Sequence, residues 1–265
     1  MSSPDTIKQC CARLYESDIA RILLGNSFHP GGTKLTERLG ELLGLGAQSR
    51  VLDIASGTGT SALFLAERFG CEVVGVDYGS HNVEQSNAAA KARGLDKRVS
   101  FRIGDAERLP FPDSSFDAVI CECAFCTFPD KTAAAAEFER VLRSGGAIGL
   151  SDLTRGSAFP EELSGLLAWV ACIADAQPVD IYVRYLCDAG FRVERVEPHD
   201  EALLEMVNQV RMKLLGTEIM VGLKKLELAG VDFTAAKEMA RLALTAVQKG
   251  SLGYAILHAS KPCNG

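Results

Sequence analysis

From residue 50 onward, short apolar runs alternate with amphipathic stretches. "RVLDIA" (Arg50 to Ala55), "CEVVGVD" (Cys71 to Asp77), "VSFRIGD" (Val99 to Asp105), "FDAVICE" (Phe116 to Glu122) and "AIGLSDL" (Ala147 to Leu153) each read as a short buried strand. Between them lie helical patterns. "TSALFLAERF" stops at Gly70, Ser80 to Arg93 starts with Ser80 as N-cap and precedes Gly94, and "KTAAAAEFERVLRSGG" ends on a glycine pair. Upstream, Asp5 to Leu24 reads as a helix closed by Gly25. "NSFHPGG" is then a loop, and Thr33 caps a second helix that stops at Gly44. Downstream of Leu153 the pattern is less regular. "PEELSGLLAWVACIADA" and "VDIYVRYLCDAG" read as helices and "FRVERVEP" as a strand. Asp200 to Lys249 is helical in about three pieces broken near Gly216 and Gly230, and "LGYAILHAS" closes as a strand.

Strand and helix in strict alternation predict an α/β fold, a doubly wound and mostly parallel sheet with helical additions. The chain has 265 residues, 47% of them hydrophobic, enough for one substantial core. Net charge is −6 and no Lys/Arg run exceeds two residues, which disfavours a nucleic-acid partner. No stretch reaches the roughly 20 apolar residues of a membrane span. "MSSPDTIKQCC" lacks a basic start followed by an apolar run, so a cytoplasmic location is expected. In that reducing compartment the nine cysteines are not a disulfide framework.

"VLDIASGTGTS" sets Asp53, Gly57 and Gly59 between the first strand and its helix. Glycines there let a ligand approach the backbone, and the helix start offers free N–H groups. The spacing is D-x-A-x-G-x-G, not G-x-G-x-x-G. Asp53 before the glycines suits an ammonium and has the wrong charge for a pyrophosphate. Asp77 ends the second strand, where a carboxylate can accept from ribose hydroxyls. Asp105 ends the third strand and precedes Ala106, from which an adenine edge can be read. Each acid alone could merely cap a turn. Together they point into one crevice.

"VLDIASGTG", "VVGVD", "GDAERLPFPDSSFDAV" and "EFERVLRSGGAIGLSD", in that order over Leu35 to Leu153, resemble the class I S-adenosylmethionine-dependent methyltransferases. The resemblance implies a Rossmann-like, seven-stranded sheet whose last strand is antiparallel. It implies S-adenosyl-L-methionine as cofactor, with Asp53, Ala55, Gly57, Gly59, Asp77, Tyr78, Asp105 and Ala106 around it. Ala55 stands where the family more often has glycine. One structural domain is expected overall. Its parts are N-terminal helices over the cofactor site (1–48), the cofactor-binding core (49–198), a helical insertion (199–249), and the final strand and tail (250–265).

"ICECAFCTFPD" puts Cys121, Cys123 and Cys126 where the fourth strand ends, beside the crevice. Cys121 and Cys123, two apart on extended chain, should face one side. Free cysteine also packs well as a small apolar residue. Zinc fits poorly, because C-x-C-x-x-C lacks a paired knuckle, and no metal site is expected. Thiolates can also hold a soft, thiophilic substrate.

"VICECAFCTFPDKTAAAAEFERVLRSGGAIGLSDL" is similar to the arsenite methyltransferases, with Cys123 at their strand-end cysteine. "VACIADAQPVDIYVRYLCDAGF" puts Cys172 at the spacing of a second one. That resemblance, over Val119 to Phe191, implies that Cys123 and Cys172 hold trivalent arsenic whose lone pair attacks the methyl group. Cys126 or Cys121 is then the candidate third thiolate, with glutathione or another thiol as partner. The cysteine that family carries shortly before the glycine loop is missing here, and Glu122 stands where it often has a small amide. The competing readings are a C- or O-methyltransferase of small organic molecules, resembling the quinone methyltransferases, and a non-catalytic metal or redox sensor. No basic residue in "CECAFC" tunes the thiols for reactivity, which counts against a redox sensor.

Overall fold

A computed structural model describes residues 8–9, 16–25, 27–156, 173, 175–223 and 232–263. The strands are β1 (Arg50–Ile54), β2 (Glu72–Asp77), β3 (Val99–Ile103), β4 (Phe116–Glu122), β5 (Leu142–Arg155), β6 (Arg192–Pro198) and β7 (Leu252–Ser260). They form one seven-stranded sheet in the order β3-β2-β1-β4-β5-β7-β6. The pairs among β1 to β5 are parallel, and β7 runs antiparallel to β5 and β6. The doubly wound, Rossmann-like architecture expected from the sequence is therefore present.

The helices are α1 (Asp18–Leu24), α2 (Thr33–Leu42), α3 (Thr60–Phe69), α4 (Ser80–Ala92), α5 (Lys131–Val141), α6 (Val179–Asp188), α7 (Asp200–Gly222) and α8 (Phe233–Gln248). Alternate strand residues feed two cores, one on each face of the sheet. Leu52, Ile54, Val119 and Ile148 pack with Phe138 and Tyr254 in one. Val51, Val73 and Ile120 pack with Leu63, Leu65 and Phe101 in the other.

Several element ends differ from the sequence reading. Thr33 and Ser80 are first helical residues rather than caps; Gly32 and Gly79 hold the cap positions without a side-chain bond. Gly79 donates its N–H to Asp77 Oδ1 at 2.8 Å, so the turn is fixed by the preceding acid. The N-terminal helix is not continuous, because a turn at Glu16 and Ser17 precedes α1. There the Glu16 carboxylate accepts the His81 N–H at the start of α4. α5 ends at Val141, short of its glycine pair, because Leu142 is already paired with Phe116. Of "PEELSGLLAWVACIADA" only Ile173, Asp175 and Ala176 are described, and they are not helical.

α7 runs unbroken through Gly216. A lone helical glycine costs only about 1 kcal/mol against alanine, and continuous packing on α1 and α8 outweighs it. The other expected break, Gly230, lies outside the described residues. β6 is parallel in direction to β1–β5, so its carboxyl end and the start of β7 lie on one edge of the sheet. α7 and α8 rise from that edge, the edge on which β1, β2 and β4 also end.

Candidate functional site

The β1–α3 loop turns through three left-handed residues, Ala55 (φ 55°), Gly57 (φ 52°) and Gly59 (φ 75°). At Gly59 a Cβ would meet the Phe101 ring at 2.5 Å, so only glycine fits. Asp77 ties this loop to the next one. Its Oδ2 accepts from Gly57 N at 2.8 Å, and its Oδ1 accepts from Gly79 N at 2.8 Å and Asn82 Nδ2 at 3.3 Å. Oδ1 accepts two of these bonds and Oδ2 one, so Oδ2 keeps a further lone-pair site. Burial raises the Asp77 carboxyl above its ordinary range, against the pull of those donors.

Two adjoining cavities occupy the crevice. The larger, about 130 Å³, is lined by Ala55, Gly57, Asp77, Tyr78, Asp105, Ala106 and Cys123, with Lys8, Phe28 and Phe128 among the rest. Six predicted cofactor residues thus meet around one space. Gly59 lies behind it as the cap of α3. Asp105 is engaged by Lys8, whose Nζ is 2.8 Å from its Oδ2 and also pairs with Glu107.

The smaller cavity, about 50 Å³, is lined by Ser27, His29, Asp53, Ser56, Ser61 and Glu122, among others. Phe28, Ala55, Gly57 and Glu122 line both spaces. Asp53 is buried, and its Oδ2 has no hydrogen-bond partner among the described residues. Burial pushes its carboxyl well above the ordinary range, and the negative Glu122 and Asp77 push it further. Glu122 accepts from Ser61 Oγ at 2.5 Å and from Thr36 Oγ1 at 3.1 Å, with His29 Nε2 3.5 Å away.

This fits the amino-acid and ribose ends of S-adenosylmethionine. Unpartnered buried atoms at Ser27 Oγ, Asp53 Oδ2 and Ser56 Oγ line the small cavity, and Asn82 Oδ1 lies at the large one. Asp53, Asp77 and the glycine loop would hold the cofactor there, and what it supplies when bound is an activated methyl group.

The cysteines separate. Cys121 continues β4, paired with Ile54 and Leu150, and is fully buried. Burial holds its thiol well above the ordinary range, reinforced by Asp152, Asp53 and Glu122. Cys126 sits in a single 3₁₀ turn (Phe125–Thr127), also fully buried, and its N–H donates to Asp152 Oδ2 at 2.8 Å. Only Cys123 of the three lines the larger cavity.

Cys121 and Cys123 do not share a side as expected. The strand ends at Glu122, and Cys123 takes a left-handed φ of 54° while its N–H donates to Ser151 O at 2.7 Å. Cys172, Cys10 and Cys11 lie outside the described residues. Among the described residues no group of three or more His, Cys, Asp or Glu side chains is placed to hold a metal ion.

The sequence reading missed Glu122 as a site residue, along with its partners Thr36 and Ser61 and the cavity-lining Lys8 and Phe28. Its one available signal was the acid at the end of a strand neighbouring the glycine loop.

Comparison with known proteins agrees with this fold. The methyltransferase domain family model matches residues 52–150. A 27-O-demethylrifamycin SV methyltransferase from Amycolatopsis mediterranei is 30% identical over 240 residues, 87% of this chain and 84% of that enzyme. An arsenite methyltransferase from Halobacterium salinarum is 31% identical over 155 residues, 57% of this chain but 39% of that one. The solved geranyl diphosphate C-methyltransferase from Streptomyces coelicolor, in complex with Mg2+, geranyl diphosphate and S-adenosyl-L-homocysteine, superposes with a TM-score of 0.76 at 16% identity, covering 96% of this chain and 98% of that one. With a relative 30% identical over 87% of this chain and a 3-2-1-4-5-7-6 sheet that carries a glycine loop after its first strand, the protein belongs to the class I S-adenosylmethionine-dependent methyltransferases.

Proposed function

We propose that this enzyme transfers the methyl group to a small organic acceptor, at oxygen or carbon, in the cytoplasm. The observation that carries the reading is the fate of the cysteine cluster. Two of its three thiols are enclosed in the core, and one of those is held strongly toward its neutral form. A metalloid needs deprotonated, accessible thiolates. The lining of the larger cavity includes the apolar Phe28, Ala124 and Phe128 along with Cys123. Such a lining suits a carbon skeleton held by shape, with methyl transfer then mostly a matter of alignment. The relative named for a demethylrifamycin, similar over most of its length, supports an organic acceptor. In this reading residues 1–48 and the insertion 199–249 cover the site, the latter excluding water. No described helix is long and apolar enough to cross a membrane.

A second reading is favoured by one observation, the exposure of Cys123 to the crevice, together with the arsenite methyltransferase relative. Here Cys123 and Cys172 hold trivalent arsenic and glutathione supplies the third sulfur, since Cys121 and Cys126 are core residues.

A panel of acceptors with methyl-labelled cofactor separates the two. It should include demethylated polyketides, quinols, and arsenite with glutathione. Label is expected in an organic acceptor, with Cys123→Ser retaining most of the rate. Arsenite methylation that vanishes in both Cys123→Ser and Cys172→Ser would replace this reading with the second.

A further inference from the structure

The smaller cavity has a property the general family pattern does not explain: it is walled by two carboxylates. Asp53 and Glu122 come from adjacent strands, and Glu122 is the foremost charge acting on Asp53. Among the described residues no Lys or Arg lines the space, and His29 is the one basic side chain on it. A buried carboxylate without a cationic partner is costly, so a cation is expected to complete the pair.

The unpartnered Asp53 Oδ2, on a side chain only 2% exposed, marks where that cation would sit. A metal ion is a poor occupant, since no described set of three ligating side chains surrounds the space. A primary ammonium, compact and with several N–H donors, matches it. About 50 Å³ takes an amino group and little more than its neighbours, given that a water needs roughly 10–15 Å³.

We propose that Glu122 is a second carboxylate ligand, beside Asp53, for the α-ammonium of the cofactor's methionine end, and that Thr36 and Ser61 position it. The bonds that hold the Glu122 head are to Ser61, which lines only the smaller cavity, and to Thr36 on α2. Ser61 thus holds the carboxylate on the smaller cavity, while Glu122 also borders the larger space where Cys123 lies. The loop residues Ser27 and His29 close the same cavity, so the segment before the sheet shares in building this pocket. Glu122 thereby joins the N-terminal helices to the cofactor's charge. The assignment rests on the family's cofactor and not on the acceptor, so either can fail without the other.

Calorimetry, with competition titration for weak ligands, tests it on the full chain. The probes are S-adenosylmethionine, S-adenosylhomocysteine and the deamino analogue of S-adenosylhomocysteine. Glu122→Gln should weaken the first two alike, by about tenfold to a hundredfold for a lost charge-assisted bond in a dry site. The deamino analogue should bind variant and wild type within about threefold, since it has no ammonium to lose. Thr36→Val, which loosens Glu122 from outside the cavity, should give a smaller loss with the same pattern and guards against misfolding of the first variant. Unchanged affinity for S-adenosylhomocysteine, or equal losses for the deamino analogue, would overturn the proposal. So would a loss confined to S-adenosylmethionine, which would assign Glu122 to the sulfonium instead.

Discussion

β1 and β4 lie side by side, and each is followed by a non-glycine residue in the left-handed region, Ala55 and Cys123. Beyond those two residues the strand ends diverge. After Ala55 the chain leaves polar atoms unanswered, with Ser56 Oγ buried without a partner beside Asp53 Oδ2. After Cys123 the chain closes on itself. Ala124, Phe125 and Cys126 turn into the core, and Asp152 takes the Cys126 N–H. Phe125 packs near Phe128, Phe138 and Tyr182. The loop after β1 leaves buried polar atoms on the small cavity, whereas the loop after β4 packs shut once past Glu122.

The largest effect is expected at Asp77, which ties the glycine loop to the turn after β2. Asp77→Ala frees Gly57 N, Gly79 N and Asn82 Nδ2 at once. Cofactor affinity should fall by about tenfold to a hundredfold, as for one lost charge-assisted bond or more. Titration of S-adenosylhomocysteine reads this directly, and an unaltered dissociation constant would contradict the role.

Asp53→Asn sharpens the contrast, because here stability and binding should move in opposite directions. The Asp53 carboxyl is held above its unfolded value of about 3.9, first by burial and then by Glu122 and Asp77. A raised acid stabilises the fold fully only below that unfolded value, and its contribution is lost as pH rises through the folded one. The unliganded variant should therefore melt near wild type at pH ~4 and above it at pH ~8, while binding cofactor more weakly. Melting curves that coincide at both pH values would count against the buried charge.

Ala55→Gly is the mildest change. It removes a left-handed alanine, a conformation that costs about 1–2 kcal/mol, offset in part by the greater freedom of unfolded glycine. A net gain of under about 1 kcal/mol is expected, readable as a small rise in denaturation midpoint. Cys123→Gly offers the matching test on the other strand end. If Ala55→Gly lowers the midpoint, the φ of 55° is not a strained state.

Much of this was legible in the sequence. Strands β4 and β7 begin and end where the apolar runs do, and the glycine loop and its acids announce the cofactor side, because both signals are local. Helix starts were misplaced where glycine backbone replaced a side-chain cap, as at Gly32 and Gly79. The cysteine geometry was not legible, because Cys123 turns left-handed against Ser151, a residue on another strand. Nor was the socket around Glu122, which draws His29, Thr36 and Ser61 from three separate segments. No spacing rule links such positions; only the folded sheet does.

The helical pair α7–α8 also has bearing on how such an enzyme changes over generations. Its two ends are pinned together at the sheet: His199 N–H donates to Tyr254 O at 2.7 Å, and Asp200 Oδ1 accepts Tyr254 N–H at 2.9 Å. Whatever lies between those anchors can lengthen, shorten or be exchanged while β6 and β7 keep their register. The helical pair is thus held at both ends on a fixed frame, and its length can change without moving the strands that carry the glycine loop.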